Sequence, residues 1–262
     1  PIRKNSCYQN RTDYCAHHWY AGTIGMLSIS RQQYQQKIFM NIALGLIFLL
    51  YQCVTIAIAP LIPLYLLLRW IKGKPSVGSW RMRTGFLLRS TPSRKTLWLH
   101  AVSVGEVLSL KTLIDELQSE SDTDCYVTCG TSAAYQVAHA RLNATYISLA
   151  PLDFLPCVLQ AFNRIQPAAL IVTEAEWWPN LMCLAYYKNI PLYWINARIK
   201  ASNISSYQRI RFILKPLLQI VETFFVQTNL NRAYFLLLGV QNKNIAVMGE
   251  LKIANVLVQQ EA

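Results

Sequence analysis

From Leu97 onward, short apolar runs alternate with segments whose apolar residues recur every three or four positions. The runs cover residues 97–102, 124–128, 144–149, 168–173, 191–196, 222–227 and 244–248. They are rich in β-branched and aromatic side chains and predict seven strands. Between them, Val107, Leu110, Leu113, Ile114 and Leu117 fall on one helical face after Glu106. Leu155, Val158, Leu159, Phe162 and Ile165 do the same after Asp153. Near-continuous apolar strands separated by amphipathic helices predict a parallel sheet covered on both faces. Right-handed crossovers then make residues 97–262 a single α/β, Rossmann-like domain of about seven strands.

The part before this alternation has a different pattern. From Ile38 to Leu68 there is no Asp, Glu, Lys or Arg. A hydrocarbon core of about 30 Å needs only about 20 helical residues, so residues 40–70 read as a membrane anchor helix, with Pro60 and Pro63 supplying a kink. Arg69, Lys72, Lys74, Arg81, Arg83, Arg89, Arg94 and Lys95 follow with no acid among them, and residues 71–96 read as a basic linker. Positive charge beside a hydrophobic span marks the cytoplasmic side of a membrane and attracts anionic head groups. The charge is polarised accordingly. Up to residue 105 there are 13 Lys or Arg and one acid, whereas from Glu106 onward basic and acidic residues balance at 12 each. That confinement points to an anionic membrane rather than to nucleic acid. Residues 1–39 lack helical or strand periodicity and read as a leader outside the domain, with Met40 as the expected natural start.

The seven cysteines form no C-x-x-C pair and sit among apolar neighbours, which predicts buried thiols on a reducing, cytoplasmic side. No metal-ligand spacing appears, and neither G-x-G-x-x-G nor a P-loop follows any predicted strand. The pattern supports neither a dinucleotide cofactor nor a bound metal.

The candidate chemistry lies in two turns. Ser103-Val104-Gly105-Glu106 follows the first predicted strand, and Glu174-Ala175-Glu176-Trp177-Trp178-Pro179-Asn180 follows the fourth. In an open parallel sheet, ligands bind beyond the carboxyl ends of strands, where both turns fall. Ser103-x-x-Glu106 and Thr173-x-x-Glu176 also fit the capping-box template, a purely structural use of the same residues. Gly105, lacking a Cβ, would admit a bulky ligand to the backbone. Glu174 and Glu176, two apart in an extended chain, would share one face and repel, an arrangement with little value for stability. Aromatic planes beside carboxylates suit a sugar ring.

The ordered set of motifs from Met40 on resembles the N-terminal half of the bacterial transferases of 3-deoxy-D-manno-octulosonic acid (Kdo). The residues carrying the resemblance are the apolar anchor with its basic flank, Leu99-His100-Ala101-Val102-Ser103-Val104-Gly105-Glu106, Pro151-Leu152-Asp153 and the Glu174–Asn180 turn. Ile195-Asn196-Ala197-Arg198, Val226-Gln227, Leu238-Gly239 and Gly249-Glu250-Leu251-Lys252 complete it. The resemblance implies a GT-B glycosyltransferase with this chain as its acceptor-binding domain. The donor sugar nucleotide, CMP-Kdo, would be held mainly by a C-terminal domain outside this chain. The acceptor is lipid A precursor (lipid IVA), the setting is lipopolysaccharide synthesis at the cytoplasmic face of the cell inner membrane, and no cofactor or metal is implied. Glu106 matches the family's proposed general base. Ser103, Gly105, Glu174, Glu176, Asn180, Arg198 and Lys252 fall at substrate-binding positions, with Arg198 and Lys252 supplying positive charge toward the leaving phosphate.

The chain departs from the family pattern at several places. Thr131-Ser132-Ala133-Ala134 replaces Thr-Pro-Thr-Gly, Ala175 and Trp177 replace Thr and Leu, Ile199-Lys200 replaces Leu-Ser, and Ile253-Ala254 replaces Phe-Asp. Two other readings remain open at this level. One is a non-catalytic fragment that binds lipid A precursor; the other is a membrane-associated GT-B transferase using a different sugar donor.

Overall fold

A computed structural model describes residues 40–61, 68, 71, 79–90, 94–120, 122–174 and 176–249. Residues 40–46 belong to one compact unit, and the chain from Ile47 onward forms a second. The predicted leader and Lys252 lie outside the described residues.

Seven strands form one sheet: β1 (Lys95–Ala101), β2 (Thr123–Cys129), β3 (Tyr146–Leu149), β4 (Ala169–Thr173), β5 (Leu192–Ala197), β6 (Thr223–Val226) and β7 (Ile245–Val247). The order is β3-β2-β1-β4-β5-β6-β7, and every pairing is parallel. All seven predicted strands are present. The chain lays β2 and β3 on one side of β1, then returns to place β4 on the other side and continues outward to β7. The β1–β4 boundary is therefore the topological switch point, where two neighbouring connections leave in opposite directions and open a crevice.

The helices are α1 (Met40–Ile58), α2 (Trp80–Arg83), α3 (Val104–Ser109), α4 (Lys111–Glu120), α5 (Ser132–Arg141), α6 (Leu155–Ile165), α7 (Pro179–Tyr187), α8 (Ala201–Arg209), α9 (Arg211–Gln219) and α10 (Asn229–Leu238). The single amphipathic pattern after Glu106 is divided between α3 and α4, with Leu110 buried at the junction.

Strand alternation sorts the two faces of the sheet. Leu99, Ala101, Cys125, Val127, Cys129, Ile171 and Ile195 pack with Val107 of α3, Ile114 of α4 and Ala134 and Ala138 of α5 in a largely aliphatic core. The intervening residues build an aromatic core on the other face. There Trp98 meets Phe162 of α6 edge-on at 4.9 Å, and Trp194, Phe224 and Phe235 of α10 lie 4.8–6.2 Å apart. Each such side chain contributes about 1.5–3 kcal/mol on full burial. β2 and β4 are buried along their whole length; β4 is apolar up to Thr173, whereas β2 also buries Thr123, Asp124 and Thr128.

Part of the expected basic linker belongs to the domain instead. Arg83, Leu87 and Ser90 are buried. The Arg83 guanidinium donates to the carbonyls of Ala150 (3.1 Å) and Gly130 (2.7 Å), and Ser90 Oγ donates to the Ile165 carbonyl at 2.6 Å. A basic, polar segment docks because its donors meet strand-end and helix-end carbonyls that would otherwise be unpaired.

α1 is long and apolar enough, by length and composition, to cross a membrane. From Ile47 on it pairs with the domain. Tyr51 Oη donates to Asp153, Gln52 Nε2 donates to Asn180, and Phe48 lies edge-on to Tyr187 of α7 at 5.7 Å. Leu49, Leu50, Val54, Ile56, Ile58 and Leu61 remain exposed.

Candidate active site

β1 and β4 run side by side and in parallel, so the turns that follow them meet at the switch point. Ser103, in extended backbone, ends the first turn and starts α3 as its N-cap. Its Oγ accepts from the Glu106 N–H, while the Glu106 side chain reaches back to the Ser103 N–H at 3.3 Å. The capping box read in the sequence is therefore formed.

Glu106 does more than cap. It is only 4% exposed, and both carboxylate oxygens are engaged. Oε2 accepts from the Val102 N–H (2.9 Å) and the Thr173 hydroxyl (2.7 Å), and Oε1 accepts from the Ser103 N–H and the Ser103 hydroxyl (2.7 Å). A carboxylate offers about four acceptor positions, so its capacity is filled. Neither oxygen is open to a cleft as it stands, unlike the free carboxylate a general base at this position would present. Oε2 faces the protein, whereas the hydroxyl on Oε1 comes from Ser103, an exposed residue. Gly105 sits half-exposed in the first turn of α3.

The second turn does not continue as extended chain. Glu174 adopts a left-handed conformation with φ 51°, costly for a side chain other than glycine or asparagine. The backbone is therefore not extended at Glu174, yet Glu174 and Glu176 both line the same cleft. Glu174 is buried, its carboxylate pairs with Arg198 at 2.7 Å, and its carbonyl accepts from Trp194 Nε1 at 2.6 Å. Arg198 reaches it from the end of β5, where the β5–β6 register shifts between Trp194 and Ala197 and Asn196 is also left-handed at φ 52°. Irregularities of this kind re-aim side chains at strand ends.

Glu176 is half-buried and accepts from Trp178 Nε1 at 2.9 Å. Burial raises its proton affinity above the ordinary glutamate value, and the negative charges of Glu106 and Glu174 raise it further, against the opposing Trp178 hydrogen bond. The charge of Glu106, distant in sequence, thus reaches Glu176. Thr173 does not cap Glu176. Its hydroxyl lies within hydrogen-bond distance of both Glu106 Oε2 and the His100 carbonyl (3.1 Å), tying the end of β4 to the first turn.

Glu174, Glu176, Arg198, Ile199, Lys200, Asn203 and Tyr207 line a cleft of about 270 Å³. Its walls carry both signs of charge and several hydrogen-bonding groups, a composition that suits a polyhydroxylated ligand more than an apolar one. The tryptophans have packing partners: Trp177 lies edge-on to Trp194 and Tyr207, and Trp178 lies edge-on to His100 at 5.1 Å. Burial holds the His100 imidazole neutral, its pKa lowered to about 3 with the Arg83 charge adding to the effect.

Asn180 is a second correction. It is fully buried in the first turn of α7, where Nδ2 donates to the Asp153 carbonyl at 2.6 Å and Oδ1 accepts from Gln52. It is a structural residue rather than a ligand-binding one. Asn203 and Tyr207 belong to no motif in the sequence; their four-residue spacing on α8, which Lys200 precedes as N-cap, puts both on one face. Among the described residues, no cluster of three or more His, Cys, Asp or Glu is arranged to hold a metal ion.

Comparison with known proteins adds a family to this geometry. The profile of the 3-deoxy-D-manno-octulosonic-acid transferase (kdotransferase) family matches residues 78–255, more than half of the chain. A 3-deoxy-D-manno-octulosonic acid transferase of Haemophilus influenzae is 27% identical over 165 residues, covering 62% of this chain and 39% of that protein. One from Chlamydophila psittaci is 27% identical over 210 residues, 78% of this chain and 48% of that protein. The chain spans less than half the length of either relative. Among solved structures, a UDP-GlcNAc 2-epimerase from Neisseria meningitidis aligns with 64% of this chain and 50% of its own, at 16% identity and a TM-score of 0.48.

Proposed function

Because the chain belongs to the Kdo transferase family, we propose that it is the acceptor-binding domain of a GT-B glycosyltransferase. The complete protein moves Kdo from CMP-Kdo to lipid A precursor at the cytoplasmic face of the inner membrane. The observation that carries this reading is the meeting of the two acidic turns: Thr173, directly before Glu174, bonds Glu106, beside a cleft lined by Glu174 and Glu176. A packed core gains nothing from gathering three carboxylates, whereas a polyol-binding site does.

In the proposed inverting reaction an acceptor hydroxyl attacks the anomeric carbon of Kdo. The new carbon–oxygen bond forms as the bond to the CMP phosphate breaks, and the hydroxyl proton passes to Glu106. Because Glu106 is fully hydrogen-bonded, the acceptor hydroxyl must displace a partner, and the exposed Ser103 hydroxyl on Oε1 is the one that can leave. Val102, Ser103 and Thr173 then hold the carboxylate in place. A base so positioned contributes about 10²–10⁴-fold in rate. The departing phosphate needs positive charge more than a proton, and Arg198 and Lys252 are assigned to it. Arg198 is already oriented by Glu174. Glu174 and Glu176 orient acceptor hydroxyls.

The exposed apolar side chains of α1 and the basic residues after it supply membrane contact. Membranes carrying the complete protein should release CMP from CMP-Kdo only when lipid A precursor is added. Release that ignores the acceptor, or its complete absence, contradicts this function.

A further inference from the structure

α7 begins without a cap of its own. Its N-cap residue, Trp178, makes no side-chain hydrogen bond to the helix, and Pro179 occupies the first turn. The first-turn N–H groups of a helix have no intrahelical acceptor and must find one elsewhere. Here the acceptor is Asp153, from the loop between β3 and α6. Its Oδ1 takes the Leu181 N–H at 3.0 Å and its Oδ2 takes the Asn180 N–H at 3.2 Å. The same Oδ2 accepts from Tyr51 Oη of α1 at 2.9 Å, and Asn180 Oδ1 accepts from Gln52 Nε2 at 2.6 Å.

Two adjacent polar residues in an otherwise apolar stretch are thus both spent on the start of α7, the helix that emerges directly from the Glu174–Trp178 turn. The Phe48–Tyr187 contact holds the other end of the same helix. Next to these pins, Leu49, Leu50, Val54 and Ile58 stay exposed.

We propose that Tyr51 and Gln52 are positioning residues that couple the lipid contact of α1 to the acidic turn. When lipid covers the exposed side chains of α1, the helix is held against the domain, and the Tyr51–Asp153 and Gln52–Asn180 hydrogen bonds fix the first turn of α7. That in turn fixes the exit of the chain from Glu176 and Trp178. An anchor that served only as a tether would need neither bond. The proposal rests on the reading of α1 as a membrane-contacting helix.

The test is amide hydrogen exchange of the peptide spanning Asn180–Leu184 in the whole chain, with and without vesicles of phosphatidylethanolamine and phosphatidylglycerol. Vesicles should slow exchange of the native Asn180 and Leu181 amides by about ten-fold, the scale of a hydrogen bond to a charged group. Tyr51→Phe and Gln52→Met, which keep the side-chain volume, should abolish this protection while circular dichroism shows an unchanged fold. Without vesicles both variants should exchange these amides faster than the native chain. Lys243→Ala, at an exposed position beside the edge strand β7 and outside α1, should behave as native.

Co-flotation with the vesicles reports the membrane reading separately. A chain that floats without any change at Asn180–Leu184 overturns the coupling and leaves membrane contact standing. A chain that does not float overturns the membrane reading, and with it the lipid dependence. Equal protection in native and both variants overturns the role of Tyr51 and Gln52.

Discussion

The two turns at the switch point have similar sequences and different fates. After β1, Ser103-x-x-Glu106 closes on itself: the serine caps α3, and Glu106 receives donors from Val102, Ser103 and Thr173. After β4, Thr173-x-x-Glu176 has the same spacing but no box forms. The chain turns left-handed at Glu174, Thr173 serves the first turn, and α7 takes its cap from Asp153. The comparison teaches that a capping signature states what a carboxylate can do, while the competing acceptors and donors around it decide what it does. The first turn is closed mainly by local hydrogen bonds, with Thr173 as a distant donor to Glu106. The second is held by groups distant in sequence, Arg198, Trp194 and Asp153, and it borders the open cleft.

The largest stability effect should come from cutting the link between the turns. Thr173→Val keeps the shape of a fully buried residue but removes one of the two donors to Glu106 Oε2. A charged acceptor deprived of a buried donor costs about 2–3 kcal/mol, to be read as a lower denaturation midpoint with unchanged slope. No loss would mean that the two turns are independent. Arg198→Met should come next, at about 1–2 kcal/mol. It strands the buried Glu174 carboxylate, but the Arg198 side chain is 38% exposed, which softens the loss. Differential scanning calorimetry of the two variants would rank them, and a larger cost at Arg198 would reverse the contrast drawn here.

The smallest effect is one of sign. Because the folded-state proton affinity of Glu176 lies above its unfolded value of 4.5, its ionised form is a burden on the fold at neutral pH. That burden is relieved as pH falls through the raised value toward 4.5. Glu176→Gln, which keeps an oxygen for Trp178 Nε1, should therefore melt slightly higher than the native chain at neutral pH. The advantage should vanish as pH approaches 4.5. An advantage that grows on acidification would show that burial does not raise the proton affinity of Glu176 in the fold.

The sheet was legible in the sequence because strands buried on both faces are mostly apolar: β4 is apolar up to Thr173, and β2 keeps a central Cys-Tyr-Val run although it also buries Asp124 and Thr128. The capping box at Ser103 was legible because every group it needs lies within four residues. The second turn was not. Nothing in local propensity announces a left-handed glutamate, and the extended reading of Glu174 and Glu176 failed on that one dihedral. Asn180 reads as a polar residue beside a candidate site until Asp153, 27 positions earlier, and Gln52, 128 positions earlier, are seen to use it. The docking of Arg83 was hidden for the same reason. Its partners are the main-chain carbonyls of Gly130 and Ala150, which carry no residue-type signal.

Glu106 is the proposed base, and the Ser103 hydroxyl is the group that would uncover it. The most direct measurement is the rate of Kdo transfer by the complete protein carrying Glu106→Gln, beside Ser103→Ala, with thermal melts to confirm folding. Ser103→Ala should cost about 1 kcal/mol of stability through the lost cap and leave transfer largely intact. Glu106→Gln, still folded, should lose about 10²–10⁴-fold in rate. Transfer by folded Glu106→Gln at the native rate would contradict the account and leave Glu106 a structural cap alone.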